Sequence, residues 1–125
     1  MNSSVSFFSA ACLTAALSVP CAQATFAADL KRGALLFQTC SACHSVLGDG
    51  IGPDIVGIYG KKAARRDGFS YSSAMKNSGI VWDDATLRAF VTNPQSVVKG
   101  TLMVFPGYAM LADVDNVVGY LKTLR

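Results

Sequence analysis

Two cysteines three positions apart and a histidine directly after them, Cys40-Ser41-Ala42-Cys43-His44, constrain this chain more than any other feature. Cys-x-x-Cys-His reads as an attachment site for a c-type haem. On one helical turn both sulfurs face the same side and can add to the two vinyl groups of the ring. The next residue then offers an imidazole nitrogen to the iron. His44 is the only histidine in the chain, so any metal chemistry that needs imidazole must use it. A structural zinc site would need four ligands, and the other two cysteines, Cys12 and Cys21, lie near the N-terminus. A thioredoxin-like redox pair would want a strand-helix-strand setting, which the flanking sequence lacks. Inert thiols are the bland remaining reading. All three are weaker than haem attachment.

The chain has 125 residues, enough for one domain. Its start has the pattern of an export signal. Phe7 to Val19 is a short apolar run ending at Pro20, and Ala22-Gln23-Ala24 supplies a small-x-small cleavage site. The run falls short of the about 20 apolar residues of a membrane span. No Lys or Arg precedes Phe7, which departs from the usual signal and leaves an uncleaved anchor as the alternative. Cys21 is a poor lipid-attachment candidate, because Pro20 stands where a small residue is wanted. Residues 1–24 are therefore expected to be removed, leaving residues 25–125 as one domain in the periplasm. Cys12 and Cys21 would leave with the signal, and no disulfide would remain. A domain of this size buries only on the order of 60–65% of its surface. A covalent porphyrin would enlarge that core, so the apoprotein is expected to be mostly unfolded.

All 11 Lys and Arg residues and all 8 acids follow position 24, the acids are all Asp, and the formal charge is +3. Basic residues cluster at Lys31-Arg32, Lys61-Lys62 and Arg65-Arg66, with Lys76 and Lys99 further on. An ordinary solvated surface and a docking patch for an acidic partner account for them equally well. No aromatic platform is interleaved with the basic pairs, which argues against nucleic acid.

Asp29 is placed to cap a helix from about Leu30, with Leu30, Ala34, Leu35 and Phe37 on its apolar side. Glycine-rich residues 47–60 read as loop. A short helix is predicted over Tyr71 to Asn77, ended by Ser78-Gly79. Asp83 caps another through about Thr92, stopped at Asn93-Pro94. Residues 95–112 read as mostly irregular. Asp113 is expected to cap the last helix, whose Val114, Val117, Val118 and Leu121 share one face. The fold class is all-α, about four helices with long loops around one covalent haem.

An electron carrier needs a second axial ligand, and with no second histidine a methionine thioether is the natural choice; it also raises the reduction potential. Met75, Met103 and Met110 are available. Met103 sits in a loop that can reach the open haem face, so local chemistry favours it over Met110 without excluding the latter.

Several further elements carry a family resemblance: Gly52-Pro53, Phe69-Ser70-Tyr71, Gly79-Ile80-Val81-Trp82, Asn93-Pro94 and Gly100-Thr101-Leu102-Met103. With the haem motif, they make residues 29–125 resemble the class I c-type cytochromes, in the branch of mitochondrial cytochrome c and its short bacterial relatives. The resemblance implies that the Pro53 carbonyl accepts the axial histidine's N–H. It implies that Tyr71 and Trp82 bond haem propionates, that His44 and Met103 ligate the iron, and that Gly33, Phe37, Val117 and Tyr120 form a crossing of the first and last helices. There are departures. The loop after His44 is short, Met75 stands where a polar asparagine is frequent, Lys61 replaces an arginine near a propionate, and Leu102 replaces a docking lysine. The implied function is a soluble monomeric carrier of single electrons, not an enzyme. A haem edge ringed by lysine and arginine would dock briefly to redox complexes. Those implied are a quinol-oxidising complex and a terminal oxidase, a reductase or a photosynthetic reaction centre.

Overall fold

The computed structural model describes residues 27–125. The expected export segment, residues 1–24, lies outside the described residues. Five helices are found among them: α1 Leu30–Ser41, α2 Ser73–Lys76, α3 Asp84–Thr92, α4 Pro94–Val97 and α5 Leu111–Leu121. Among the described residues no helix is long and apolar enough to cross a membrane. The one β-type pairing described is an isolated antiparallel bridge between Lys62 and Val81.

The caps explain most boundaries. Asp29 Oδ1 accepts from the backbone N–H groups of Lys31 and Arg32 at 2.9 and 3.0 Å, which starts α1. Asp83 and Thr86 form a reciprocal capping box at the start of α3. Asn93 ends α3 and its side chain at once caps α4, with Pro94 in the first turn, where its missing N–H costs nothing. The stop at Asn93-Pro94 is thus also a start, and the expectation of irregular chain from residue 95 missed that single turn. The helix expected over residues 71–77 shortens to Ser73–Lys76, because Ser72 takes the cap and accepts from Met75 N–H.

Asp113 does not cap α5. The helix begins two residues earlier, Met110 holds the N-cap position without a side-chain bond, and Asp113 sits in the first turn. Its carboxylate instead binds the Arg32 guanidinium across to α1, at 3.0 and 3.1 Å. Asn116 likewise accepts from Asp29 N–H at 2.8 Å.

α1 and α5 cross through Gly33. A Cβ there would stand 2.2 Å from Asn116 O and 2.8 Å from Tyr120 Cβ, so only glycine permits the approach. Phe37 then meets Tyr120 with ring centroids 5.3 Å apart. The buried side of α1 is therefore Gly33 and Phe37, whereas Leu30 and Leu35 face outward. On α5 the expected face holds: Val114, Val117, Val118 and Leu121 are all buried, packed with Leu87, Phe90 and Val91 of α3. This three-helix frame leaves the long segments 42–72 and 98–110 to line one side of the molecule.

Candidate functional site

His44 directly follows the last turn of the α1 region, where its backbone N–H donates to Cys40 O at 2.8 Å. Its Nδ1–H donates to the Pro53 carbonyl at 2.7 Å. That bond fixes the tautomer and leaves the Nε2 lone pair free to ligate. Gly52 lies flat against the ring. A Cβ on it would come 2.6 Å from His44 Cε1 and 2.8 Å from Nδ1.

The imidazole borders a largely apolar cavity that is partly open to solvent. Cys40, Pro53, Tyr71, Trp82 and Met103 border it as well. A second cavity shares Cys40, His44, Leu102 and Met103 with the first and adds Cys43, so the two adjoin as inner and outer parts of one cleft. All seven residues singled out in the sequence therefore meet at one cleft, although they span positions 40 to 103.

Met103 borders both parts of this cleft, Met75 only the inner part, and Met110 neither. Met110 is exposed at the start of α5. The cations at the inner cavity are Lys62 and Arg65, not Lys61. Lys62 pairs with Val81 in the bridge, and successive side chains of an extended segment point to opposite sides.

Gln95 and Tyr108 carried no sequence signal, and Thr101 entered only as part of the Gly100-Thr101-Leu102-Met103 element. Gln95 Nε2 donates to Thr101 O at 2.9 Å and Met103 O at 3.3 Å, holding the Met103 loop against α4. Thr101 is buried, and its Oγ1 accepts from Met103 N–H at 3.3 Å. Tyr108 donates its hydroxyl proton to Leu36 O at 2.8 Å and lies 3.8 Å from Cys40 Sγ. Burial pushes the Cys40 thiol pKa up, with the Tyr108 contact opposing it. Burial also pushes the Tyr108 phenol far up, with Cys40 adding to the shift. The partners of Gln95 and Tyr108 are set by the folded loops, not by any spacing.

These residues fit a haem. Thiols stand at the cleft's edge, one imidazole has a free nitrogen, and a thioether borders the same space. Trp82, 5% exposed, lines the apolar wall with Leu87, Phe90 and Val91. The Tyr71 hydroxyl accepts from Arg66 N–H at 3.3 Å, which leaves its own proton to donate. No cluster of three or more His, Cys, Asp or Glu residues that could hold a bare metal ion occurs among the described residues.

The comparisons with known proteins agree with that geometry. The cytochrome c family profile matches residues 30–125. Cytochrome c2 of Rhodoblastus acidophilus is 42% identical over 102 residues, covering 79% of this chain and 95% of that protein. Cytochrome c2 of Rhodomicrobium vannielii is 44% identical over 105 residues, covering 82% and 84%. The solved structure of cytochrome cH from Methylobacterium extorquens superposes with a TM-score of 0.73 at 42% identity, over 76% of this chain and 98% of that one.

Proposed function

This chain belongs to the cytochrome c family, and from that premise we propose that it carries single electrons between redox complexes of the periplasm. Its cofactor is one haem c, held through Cys40, Cys43 and His44. The bound haem supplies a one-electron iron couple. The protein is an electron-transfer protein and not an enzyme.

One observation carries the assignment of ligands. His44 and Met103 border one cleft, and the Pro53 carbonyl already holds the His44 Nδ1–H. His44 would bind the iron through Nε2 and Met103 through its sulfur. Pro53 keeps the imidazole from turning, and the hydrogen bond raises its basicity. Gln95 and Thr101 hold the Met103 loop at both ends of its backbone. Tyr71 and Trp82 would bind the haem's acidic groups, with Lys62 and Arg65 balancing their charge. Leu87, Phe90 and Val91 keep water from the inner face. With His44 and Met103 both holding the iron, no position would be open to a substrate, which supports transfer over catalysis.

Export with removal of residues 1–24 would deliver the chain to the compartment where its partners work. By resemblance these are a quinol-oxidising complex on the donor side and a terminal oxidase, reductase or photosynthetic reaction centre on the other.

Optical spectra of the purified protein test this reading. The oxidised form should show a weak band at the red end that Met103→Ala abolishes, with a lower reduction potential in the variant. Ready binding of carbon monoxide by the reduced wild type at neutral pH would overturn it, since the iron would then have an open position.

A further inference from the structure

The sequence led us to expect lysine and arginine around the opening to the cofactor site, but neither lines the outer part of the cleft. The outer part of the cleft, where Cys43 lies, has no Lys, Arg or Asp in its lining. Its rim is Ile51, Leu102, Val104, Phe105 and Pro106. Ile51 is 84% exposed, Leu102 72% and Val104 92%. Leu47, four residues before Ile51 in the same loop, is 96% exposed. Scattered exposed apolar residues need no explanation, but a contiguous group around a functional opening marks an interaction site. Two loops about fifty residues apart in sequence build this one.

The nearby charges are turned to internal work. Asp49 accepts from Arg66 Nε at 3.0 Å and from Asp54 N–H at 2.9 Å. Arg66 also reaches the Asp54 carboxylate at 3.9 Å. Lys62 and Arg65 border the inner cavity and not the outer opening. A rim without charge gives an acidic partner nothing to pair with, and burying acids against it would cost their hydration. Charge complementarity therefore points to a partner face that is itself neutral and apolar.

We propose that the Ile51, Leu102 and Val104 rim is the docking surface for a redox protein whose matching face is apolar and uncharged, so that binding is driven by apolar burial and not by electrostatic steering. This role presupposes the electron-carrier function proposed above. Association would be slow by the standard of steered pairs, and its rate nearly independent of salt.

The test uses the holoprotein and quinol-reduced membranes of the organism that encodes the chain, following haem reduction. The rate should change less than about twofold between low and high ionic strength, whereas a steered pair changes roughly tenfold or more. Val104→Lys and Val104→Asp should both slow it, by roughly tenfold, because an apolar contact rejects either sign. Ile51→Ser should slow it less. Unchanged absorption spectra and midpoint potentials in all three variants would show that the fold and the site are intact.

Strong salt dependence, opposite effects of Val104→Lys and Val104→Asp, or no effect of either would overturn the proposal. So would a wild-type dimer that Val104→Asp dissociates, which would make the rim a contact between copies. Binding to neutral phosphatidylcholine vesicles that Val104→Asp abolishes would assign it to lipid instead. If membranes fail to reduce the protein while ascorbate does so reversibly, the docking surface falls and the haem site stands. If no covalent haem is present, both fall.

Discussion

Gly52 is the position where one added carbon would most disturb the site. Its Cα faces the His44 ring so closely that an alanine Cβ would stand 2.6 Å from Cε1. The ring would have to turn and strain the 2.7 Å bond from Nδ1–H to Pro53 O. Gly52→Ala should destabilise the holoprotein by about 1–3 kcal/mol, the scale of overpacking at a tight contact. Guanidinium unfolding measures it, and an unchanged midpoint would mean that the loop moves away freely. His44 was legible from the haem motif, and Gly52 and Pro53 from the family resemblance that the Gly52-Pro53 element carries. Gln95 was not. A glutamine in a four-residue helix has no reason in sequence to hold Met103, and its bonds to Thr101 O and Met103 O exist because α4 turns back toward that loop.

Among the elements, the α1–α5 crossing rests on Gly33 in the same way. A Cβ would stand 2.2 Å from Asn116 O on the partner helix. Gly33→Ala should part the helices and cost about 1–3 kcal/mol, with the Phe37–Tyr120 contact loosened too. Thermal unfolding followed by circular dichroism reads the loss, while the red-end band of the oxidised protein should persist. The start of α5 offers the opposite case. Met110 occupies the N-cap with φ −94° and ψ 121°, a conformation that suits a capping residue, yet it makes no side-chain bond. Met110 is exposed and borders neither part of the cleft. Met110→Ser should therefore stabilise the protein by about 0.5–1 kcal/mol and leave the reduction potential unmoved. A shift in potential would return Met110 to the ligand set. The stripe of Val114, Val117, Val118 and Leu121 was readable because a helix repeats every 3.6 residues whatever it packs on. The apolar side of α1 was misread, because Gly33 carries no hydrophobic signal and Leu30 and Leu35 do.

Charge pairs bind the molecule together at long range. Asp84 accepts the Tyr59 hydroxyl at 2.6 Å and the Lys122 ammonium at 2.9 Å, joining the loop after Ile55 to α3 and the end of α5. Tyr59 first and Lys122 second hold the Asp84 carboxyl below the usual range. Asp49 is lowered by the Asp54 backbone N–H and by Arg66, and Asp83 by the Thr86 backbone N–H. A lowered carboxylate contributes stability that is present above its unfolded value, about 3.9, and is lost as pH falls through the lower folded value. Tyr59 and Lys122 are raised through Asp84. Their contribution is present below their unfolded values, about 10, and fades as pH rises through the higher folded ones. Melting temperature should be flat between about pH 5 and pH 9 and fall on both sides. Asp84→Asn should blunt both limbs, and an unaltered alkaline limb would sever Tyr59 and Lys122 from this account. At this scale the boundary between chain and fold is clear. Cys40, Cys43 and His44 were visible in one dimension, since covalent attachment demands particular atoms at short spacing, and helical periodicity marked the inner face of α5. What surrounds the cleft's opening was invisible there. Ile51 and Val104 share a rim only after two distant loops fold together beside His44, and Asp49 is paired only because Arg66 reaches it. Local bonding is written in neighbouring letters, whereas a surface is made by whichever distant segments the packed core brings side by side.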